Sequence, residues 1–325
     1  MESLALTPED RVLVLGGTGF IGKRLVRELS SRDIKLRLLA RDPSKASGML
    51  PEGKDIEITQ GDLMKKKDLE DALKGIHSAY YLVHSMGGKS ITKNTEFAEK
   101  DKKAARNFVS AAGASGLKRI IYLGGLGEKG KDLSEHLNSR AEVGGILSSG
   151  SPSATILRAA VIIGAGGASY EMLRYLVERL PVMICPKWIS TRIQPIAVKD
   201  VIAYLSGCLL NPETSGRTFD VGGPEILTYK KMMEQYTEAR GIARRVIIDV
   251  PILTPTLSAY WVDFVTPIPS GIAHPLIEGM KNEVICKDNS IDRFVEINKT
   301  PFIEAVKIAV SEETSGPGVT VSHVR

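Results

Sequence analysis

The stretch Leu15-Gly16-Gly17-Thr18-Gly19-Phe20-Ile21-Gly22 has the residue types and spacing to hold a phosphate by its oxygens. An apolar run, Val12 to Leu15, precedes it, and Leu25, Val26 and Leu29 follow at helical spacing, which predicts strand, glycine turn and helix. Glycines let backbone N–H groups crowd an anion, and the N-terminus of the helix behind them carries partial positive charge. The ligand this arrangement suits is the pyrophosphate of a dinucleotide, with Gly16, Gly17, Thr18, Gly19, Phe20 and Ile21 as its contacts. The competing reading is a glycine turn that merely packs a helix tightly on a sheet.

The end of the next strand bears on which dinucleotide. Lys35 to Ala40 leads into Arg41-Asp42-Pro43-Ser44-Lys45, where an NAD-specific chain usually places an acid against the ribose 2′-hydroxyl. Here the first polar residue is Arg41, whose guanidinium can clamp a 2′-phosphate through two parallel charge-assisted bonds, with Lys45 as an added point charge. NADP(H) is therefore favoured over NAD(H). Two alternatives stay open: Asp42 approaching the ribose in place of Arg41, and a solvated loop cap formed by Arg41 and Lys45.

The elements that must position these residues alternate strand and helix from residue 11 to about 160. Strands are predicted near Val12–Leu15, Leu36–Ala40, Ile56–Thr59, Ala79–Val83, Ile120–Leu123 and Thr155–Leu157, with helices between, among them Thr95 to Ala114. This alternation predicts an α/β fold, a Rossmann-type doubly wound parallel sheet. After residue 160 the pattern loosens into helices at Tyr170–Leu180, Val198–Leu210 and Tyr229–Arg240, and short strands at Thr218–Val221 and Val246–Asp249. The expected organisation is a Rossmann core over 1–160, a small C-terminal α/β lobe over 161–310 with strands free to return to the main sheet, and a flexible tail over 311–325. Tyr260, Trp261, Phe264 and Val265 stand among prolines in a segment whose default role is core packing. Gly87-Gly88-Lys89-Ser90 resembles the end of a phosphate loop, but the first glycine of such a loop would fall at Val83, so a loop at the cleft rim is expected.

Composition excludes other classes. The 325 residues carry a formal charge of +5 with no basic stripe of interleaved aromatics, which argues against nucleic acid. Cys185, Cys208 and Cys286 lack metal or redox spacing, and the five histidines form no ligand cluster, so no metal is expected. The N-terminus lacks the pattern of a signal peptide and no apolar run is long enough for a transmembrane segment, which places the protein in the cytoplasm. Peripheral membrane or protein-complex association stays open.

On these motifs the chain resembles the short-chain dehydrogenase/reductase superfamily, and within it the atypical NmrA-like, NAD(P)H-binding group akin to the NADPH-carrying accessory subunit of respiratory complex I. The resemblance rests on Gly16 to Gly22, Ala40-Arg41-Asp42-Pro43, the run His136 to Gly144, Leu157 to Gly164, Gln194 to Val201 and Pro275-Leu276-Ile277-Glu278-Gly279. It implies that Asp62, in Gly61-Asp62-Leu63, contacts the adenine amino group. Asp62 is equally placed to cap the following helix, and the two roles are compatible.

The resemblance also shows what is missing. Members that move hydride usually carry a Ser after the fifth strand and a Tyr-x-x-x-Lys on the next helix, where the lysine lowers the tyrosine pKa and the phenol transfers a proton. Here Gly124-Gly125 stands where the serine would be, His136 aligns with the tyrosine and Arg140 with the lysine. Arg140 still suits ribose binding but has no accessible neutral form. His136 is the candidate acid, and a solvated or structural histidine is its competing role.

Ligands in such sheets bind at the carboxyl ends of strands, so His84-Ser85 and Gly124-Gly125 are expected to flank the ribose and nicotinamide. An acceptor pocket is expected from Ala160-Val161, Tyr170, Trp188 and Gln194. The expected function is NADP(H) binding with reduction of a small carbonyl or quinone-like substrate; the alternative is a non-catalytic NADPH-binding sensor or accessory or assembly subunit.

Overall fold

Four consecutive aliphatic residues, Val12 to Leu15, leave no polar face, so their strand is stable only where both faces are covered. In the computed structural model, which describes residues 4–84, 94–127, 134–249 and 267–314, they form β1 (Arg11–Leu15), and all four are fully buried. The chain continues through α1 (Phe20–Ser31), β2 (Lys35–Ala40), α2 (Pro43–Ser47), β3 (Ile56–Gln60), α3 (Lys66–Ala72) and β4 (Ile76–Tyr81). It then forms α4 (Asn94–Ser115), β5 (Arg119–Gly125), α5 (Glu135–Ser148) and β6 (Ser153–Ala159). The predicted fourth strand, Ala79–Val83, thus starts and stops earlier, although Leu82 N still bonds Leu15 O at 3.0 Å.

Beyond residue 160 come β7 (Ile162–Ile163), α6 (Ala168–Arg179), β8 (Val182–Cys185), β9 (Arg192–Ile193), β10 (Ile196–Ala197) and α7 (Val198–Leu210). They are followed by β11 (Thr218–Val221), β12 (Leu227–Thr228), α8 (Tyr229–Arg240), β13 (Val246–Asp249), α9 (Ser270–Gly279) and α10 (Phe302–Thr314). One of the late strands rejoins the main sheet: β11 pairs parallel with β6, from Thr218 opposite Ile156 to Val221 opposite Ala159. The seven-stranded sheet has the order β11-β6-β5-β4-β1-β2-β3, all parallel. Strand order reverses between β1 and β4, and a crevice opens at the carboxyl ends of such a pair.

Two apolar layers cover the sheet. Val12, Val14, Leu25, Val26 and Leu29 pack with α7 on one face, and Leu13, Leu15, Leu69, Tyr81 and Phe108 pack with α3, α4 and α5 on the other. Each such side chain contributes about 1.5–3 kcal/mol when fully buried. Arg119, fully buried at the start of β5, donates to the carbonyl oxygens of Leu209 (3.1 Å) and Cys208 (2.8 Å) and to Thr214 Oγ1 (2.9 Å). It therefore ties the sheet to the C-terminal end of α7, where helix carbonyls lack internal partners.

The smaller C-terminal α/β region holds three two-stranded sheets, β7 with β10, β9 with β12 and β8 with β13. Its own core gathers α6, α8, α9 and α10 around Tyr170, Met172, Trp188, Met232, Tyr236 and Val306. Helix α10 runs through Thr314, past the predicted start of the tail at 311, because Glu312 pairs with Arg24 (2.6 Å) and Glu313 with Arg174 (3.0 Å). No described helix is long and apolar enough to cross a membrane. Ser85, Gly87-Gly88-Lys89-Ser90, Tyr260, Trp261, Phe264, Val265 and residues 315–325 lie outside the described residues.

Candidate nucleotide and acceptor site

The turn between β1 and α1 is built around missing side chains. Gly16 has φ +83°, and a Cβ there would stand 2.7 Å from Leu82 O on the neighbouring chain segment. Gly22 is tighter: its Cβ would meet Gly16 O at 2.1 Å and Gly17 Cα at 2.7 Å, so only glycine lets α1 approach the turn this closely. Gly19 is the N-cap of α1, with no side chain capping it and no acid in the first turn. The N–H groups of that turn are left for an external anion, which the helix dipole favours. A pyrophosphate fits this cradle. Gly17 is buried and Thr18 exposed.

At the adjacent corner, Leu15 pairs with Leu39, so Arg41 follows the carboxyl end of β2 beside the glycine turn. Asp42, the alternative ribose ligand, is the N-cap of α2: its Oδ1 accepts from Ser44 N (3.1 Å), Ser44 Oγ (2.6 Å) and Lys45 N (3.2 Å). These bonds hold the Asp42 carboxyl below its ordinary pKa, the Ser44 hydroxyl contributing most. Arg41 is exposed, and its side chain has no hydrogen-bond or ion-pair partner among the described residues. Asp62 does not cap the following helix, whose N-cap is Lys65 without a side-chain cap; instead its Oδ1 accepts from Met64 N at 2.9 Å in the turn before α3, and its own N–H donates to Asp68 Oδ2 at 2.8 Å. Leu63 is half-buried against the core layer of α3 and α4.

A cavity of about 390 Å³ runs from the glycine turn to the C-terminal region. Of the residues predicted for the site, Gly16, Gly19, Phe20, Ile21, His84, Gly124 and Arg140 line it, together with Gly125, Ala160 and Val161. Gly17, Thr18, Arg41, Asp62 and Leu63 stand outside this cavity, and Ser85 lies outside the described residues. His84 Nδ1 is 2.7 Å from Asp101 Oδ2, and a carboxylate only accepts, so the imidazole donates there. Burial, and then the Arg140 charge, lower the His84 pKa against the opposing pull of Asp101, which keeps the ring neutral near pH 7.

One departure from the hydride-transferring pattern, at Gly124, has a steric reason. A Cβ on Gly124 would stand 2.9 Å from Cε1 of Tyr122, so no serine fits without moving that ring. Tyr122 is core: it is 1% exposed, and its hydroxyl donates to Arg140 O at 3.2 Å. The Arg140 guanidinium donates to Leu123 O at 3.0 Å and lies 5.8 Å from the Tyr122 ring centroid, which fixes it at the cavity wall. His136 lies in the first turn of α5, and its side chain is outside the described residues.

The expected acceptor pocket needs correction. Ala160 and Val161 line the cavity, but Tyr170 and Trp188 do not. Tyr170 is fully buried with its ring 6.2 Å from Tyr236, and Trp188 packs edge-on against Tyr229 at 5.9 Å. Large aromatic area is stabilised most in the core, and in α6 the residue one place earlier, Ser169, takes the cavity position. Gln194 bridges Gly223 O (2.8 Å) and Cys286 N (3.0 Å) as a structural link. The residues that line this side instead are Leu126, Leu137, Ser169, Tyr229, Pro275 and Leu276. Pro275-Leu276 already stood among the resembling motifs, whereas nothing local marks Tyr229, which simply follows the N-cap Thr228. Its hydroxyl has no hydrogen-bond partner among the described residues.

Residues 16–174 match the family described as NAD(P)H-binding. The whole chain is 24% identical to a mitochondrial NADH dehydrogenase (ubiquinone) 1 alpha subcomplex subunit 9 of Arabidopsis thaliana, over 95% of this chain and 80% of that protein. Its fold is similar to a nucleoside-diphosphate-sugar epimerase of Staphylococcus aureus, with a TM-score of 0.72 at 18% identity, covering 91% of this chain and 99% of the other. It is likewise similar to an NADPH-dependent quinone oxidoreductase of Escherichia coli solved with NADPH, with a TM-score of 0.70 at 19% identity, covering 91% and 98%. Fold and glycine cradle together are those of a Rossmann-type protein whose residues 16–174 match an NAD(P)H-binding family, and the solved epimerase and oxidoreductase share that fold.

Proposed function

We propose that the protein is an NADP(H)-dependent reductase of a carbonyl or quinone-like acceptor with an apolar body. The observation that carries this reading is one continuous cavity that joins the amide cradle at Gly16–Ile21 to a wall of Val161, Tyr229, Pro275 and Leu276. Gly16, Gly17, Thr18, Gly19, Phe20 and Ile21 hold the pyrophosphate, Arg41 the 2′-phosphate, and Asp62 with Leu63 the adenine. His84, Ser85, Gly124 and Arg140 flank the ribose and nicotinamide. When bound, NADPH supplies a hydride.

The chain's own residues position the acceptor. The apolar wall holds the acceptor ring, and the Tyr229 hydroxyl is a donor available to its oxygen. No Tyr-x-x-x-Lys pair is present, so an acceptor that takes its proton from water suits this site best, which favours quinones over simple ketones. His136 is the candidate weak acid, with Arg140 as a fixed positive charge. The quinone oxidoreductase of the same fold supports this choice of acceptor.

A second reading, a nucleotide-holding accessory subunit or sensor, is favoured by the Gly124 and Tyr122 packing that shuts out the usual serine, and by the full-length similarity to the dehydrogenase subunit. Titration of NADPH fluorescence followed by turnover with a quinone panel separates the two. Oxidation of NADPH by a quinone, abolished by His136→Ala with binding intact, supports the reductase. Tight binding with no oxidation by any acceptor supports the subunit.

A further inference from the structure

Beyond the acceptor wall lies a second cavity of about 30 Å³. Val161, Ser169, Tyr229 and Leu276 line both spaces, so a single layer of side chains separates them. The remaining lining is Met172, Leu173, Leu176, Met232, Met233 and Met280, contributed by α6, α8 and the C-cap of α9. Ser169 and Tyr229, the only polar residues of this lining among the described residues, both stand on the shared wall.

We propose that this methionine-lined cavity receives the hydrocarbon tail of the acceptor, making the preferred substrate a lipophilic molecule with an unbranched chain. The inference rests on the acceptor reading above. Its physical basis is threefold. A water needs two to four polar partners, and the deep lining offers none, so the void is dry and suited to a methylene. Four of the nine methionines surround this one small space. Unbranched thioether side chains with three rotatable bonds swing aside more readily than branched or aromatic ones.

Two features of the wall bear on its opening: the Tyr229 hydroxyl has no partner among the described residues, although its ring packs edge-on against Trp188 at 5.9 Å, and Leu276 stands beside Pro275, which removes a backbone N–H from the middle of α9. At its present size the void accommodates about one methylene, so each further carbon enters only as a methionine vacates space.

The test uses the full chain saturated with NADP⁺, titrated by calorimetry with 4-alkylphenols bearing methyl, butyl and n-octyl groups, which are redox-inert surrogates. Affinity is expected to rise by up to about fourfold for the first methylene buried, the factor that about 0.8 kcal/mol per CH₂ gives, and by less for each further one that must displace a methionine. In Met232→Phe and Met280→Phe the chain-length dependence is expected to flatten while NADP⁺ affinity is unchanged. In the wild type alone, n-octylphenol is expected to bind at least about tenfold tighter than its bulky isomer 4-tert-octylphenol, because only a narrow chain threads the wall. Equal affinity for the two isomers, or the same chain-length slope in wild type and both variants, overturns the proposal. The readout needs no turnover. A preserved slope without quinone reduction defeats the reductase reading alone, and quinone reduction without a slope defeats the tail site alone.

Discussion

Replacing Gly22 by alanine probes the cradle directly. The added Cβ would stand 2.1 Å from Gly16 O, 2.7 Å from Gly17 Cα and 2.8 Å from Gly16 C, where ordinary contact begins at 3.4 Å. All three atoms are backbone and none can rotate away, so the turn and α1 must separate by more than an ångström. Overpacking of this kind costs about 1–3 kcal/mol. Alanine returns up to about 1 kcal/mol over glycine within a helix, which leaves a net loss of roughly 0–2 kcal/mol in stability. The effect on binding is larger, because the same displacement carries the first-turn N–H groups off the pyrophosphate. Each hydrogen bond to a charged group contributes about 1.5–3 kcal/mol, so losing two weakens NADPH by about 100-fold or more. Fluorescence titration with NADPH, alongside urea denaturation of the apoprotein, reads both quantities. An affinity within about threefold of wild type, in a variant that remains folded, would refute the reasoning.

Other perturbations test separate parts of the site. Arg41→Ala is expected to weaken NADPH by about 10–30-fold and NADH by less than about twofold, since one charge-assisted phosphate clamp is removed. Its stability should stay within about 0.5 kcal/mol, because the side chain is exposed and unpartnered, and equal losses for both coenzymes would move the phosphate elsewhere. Arg119→Ala leaves the Cys208 and Leu209 carbonyls without their donor and should cost about 3 kcal/mol in urea denaturation; a loss below about 1 kcal/mol would contradict the anchoring role. The lowered His84 pKa means that the unfolded chain binds this proton more readily than the folded one. Its contribution to stability is therefore full above the unfolded value near 6.5 and is lost as pH falls through the lower folded value. His84→Gln should show a shallower loss of stability between about pH 7 and pH 5 than wild type, and an identical slope would remove His84 from the account.

Local chemistry made much of this legible in the amino-acid order. The glycine spacing, the unbroken apolar run of β1 and the helical spacing of Leu25, Val26 and Leu29 in α1 depend on neighbours within one or two turns. Residue pattern alone therefore determined the parallel α/β alternation, the anion cradle and the loss of the Tyr-x-x-x-Lys pair. Tertiary packing decided the rest. The Asp42 carboxylate caps α2 at the surface, beside an exposed Arg41. Asp101 met His84 across 17 residues, and β11 returned to the main sheet beside β6. Ser169 faced the cavity where Tyr170 was expected, and Tyr229, Leu276 and four methionines from separate helices came to surround the space behind it. Such outcomes depend on which faces of distant elements bury together, and that is settled by the collective packing of the core, which no single stretch of chain encodes.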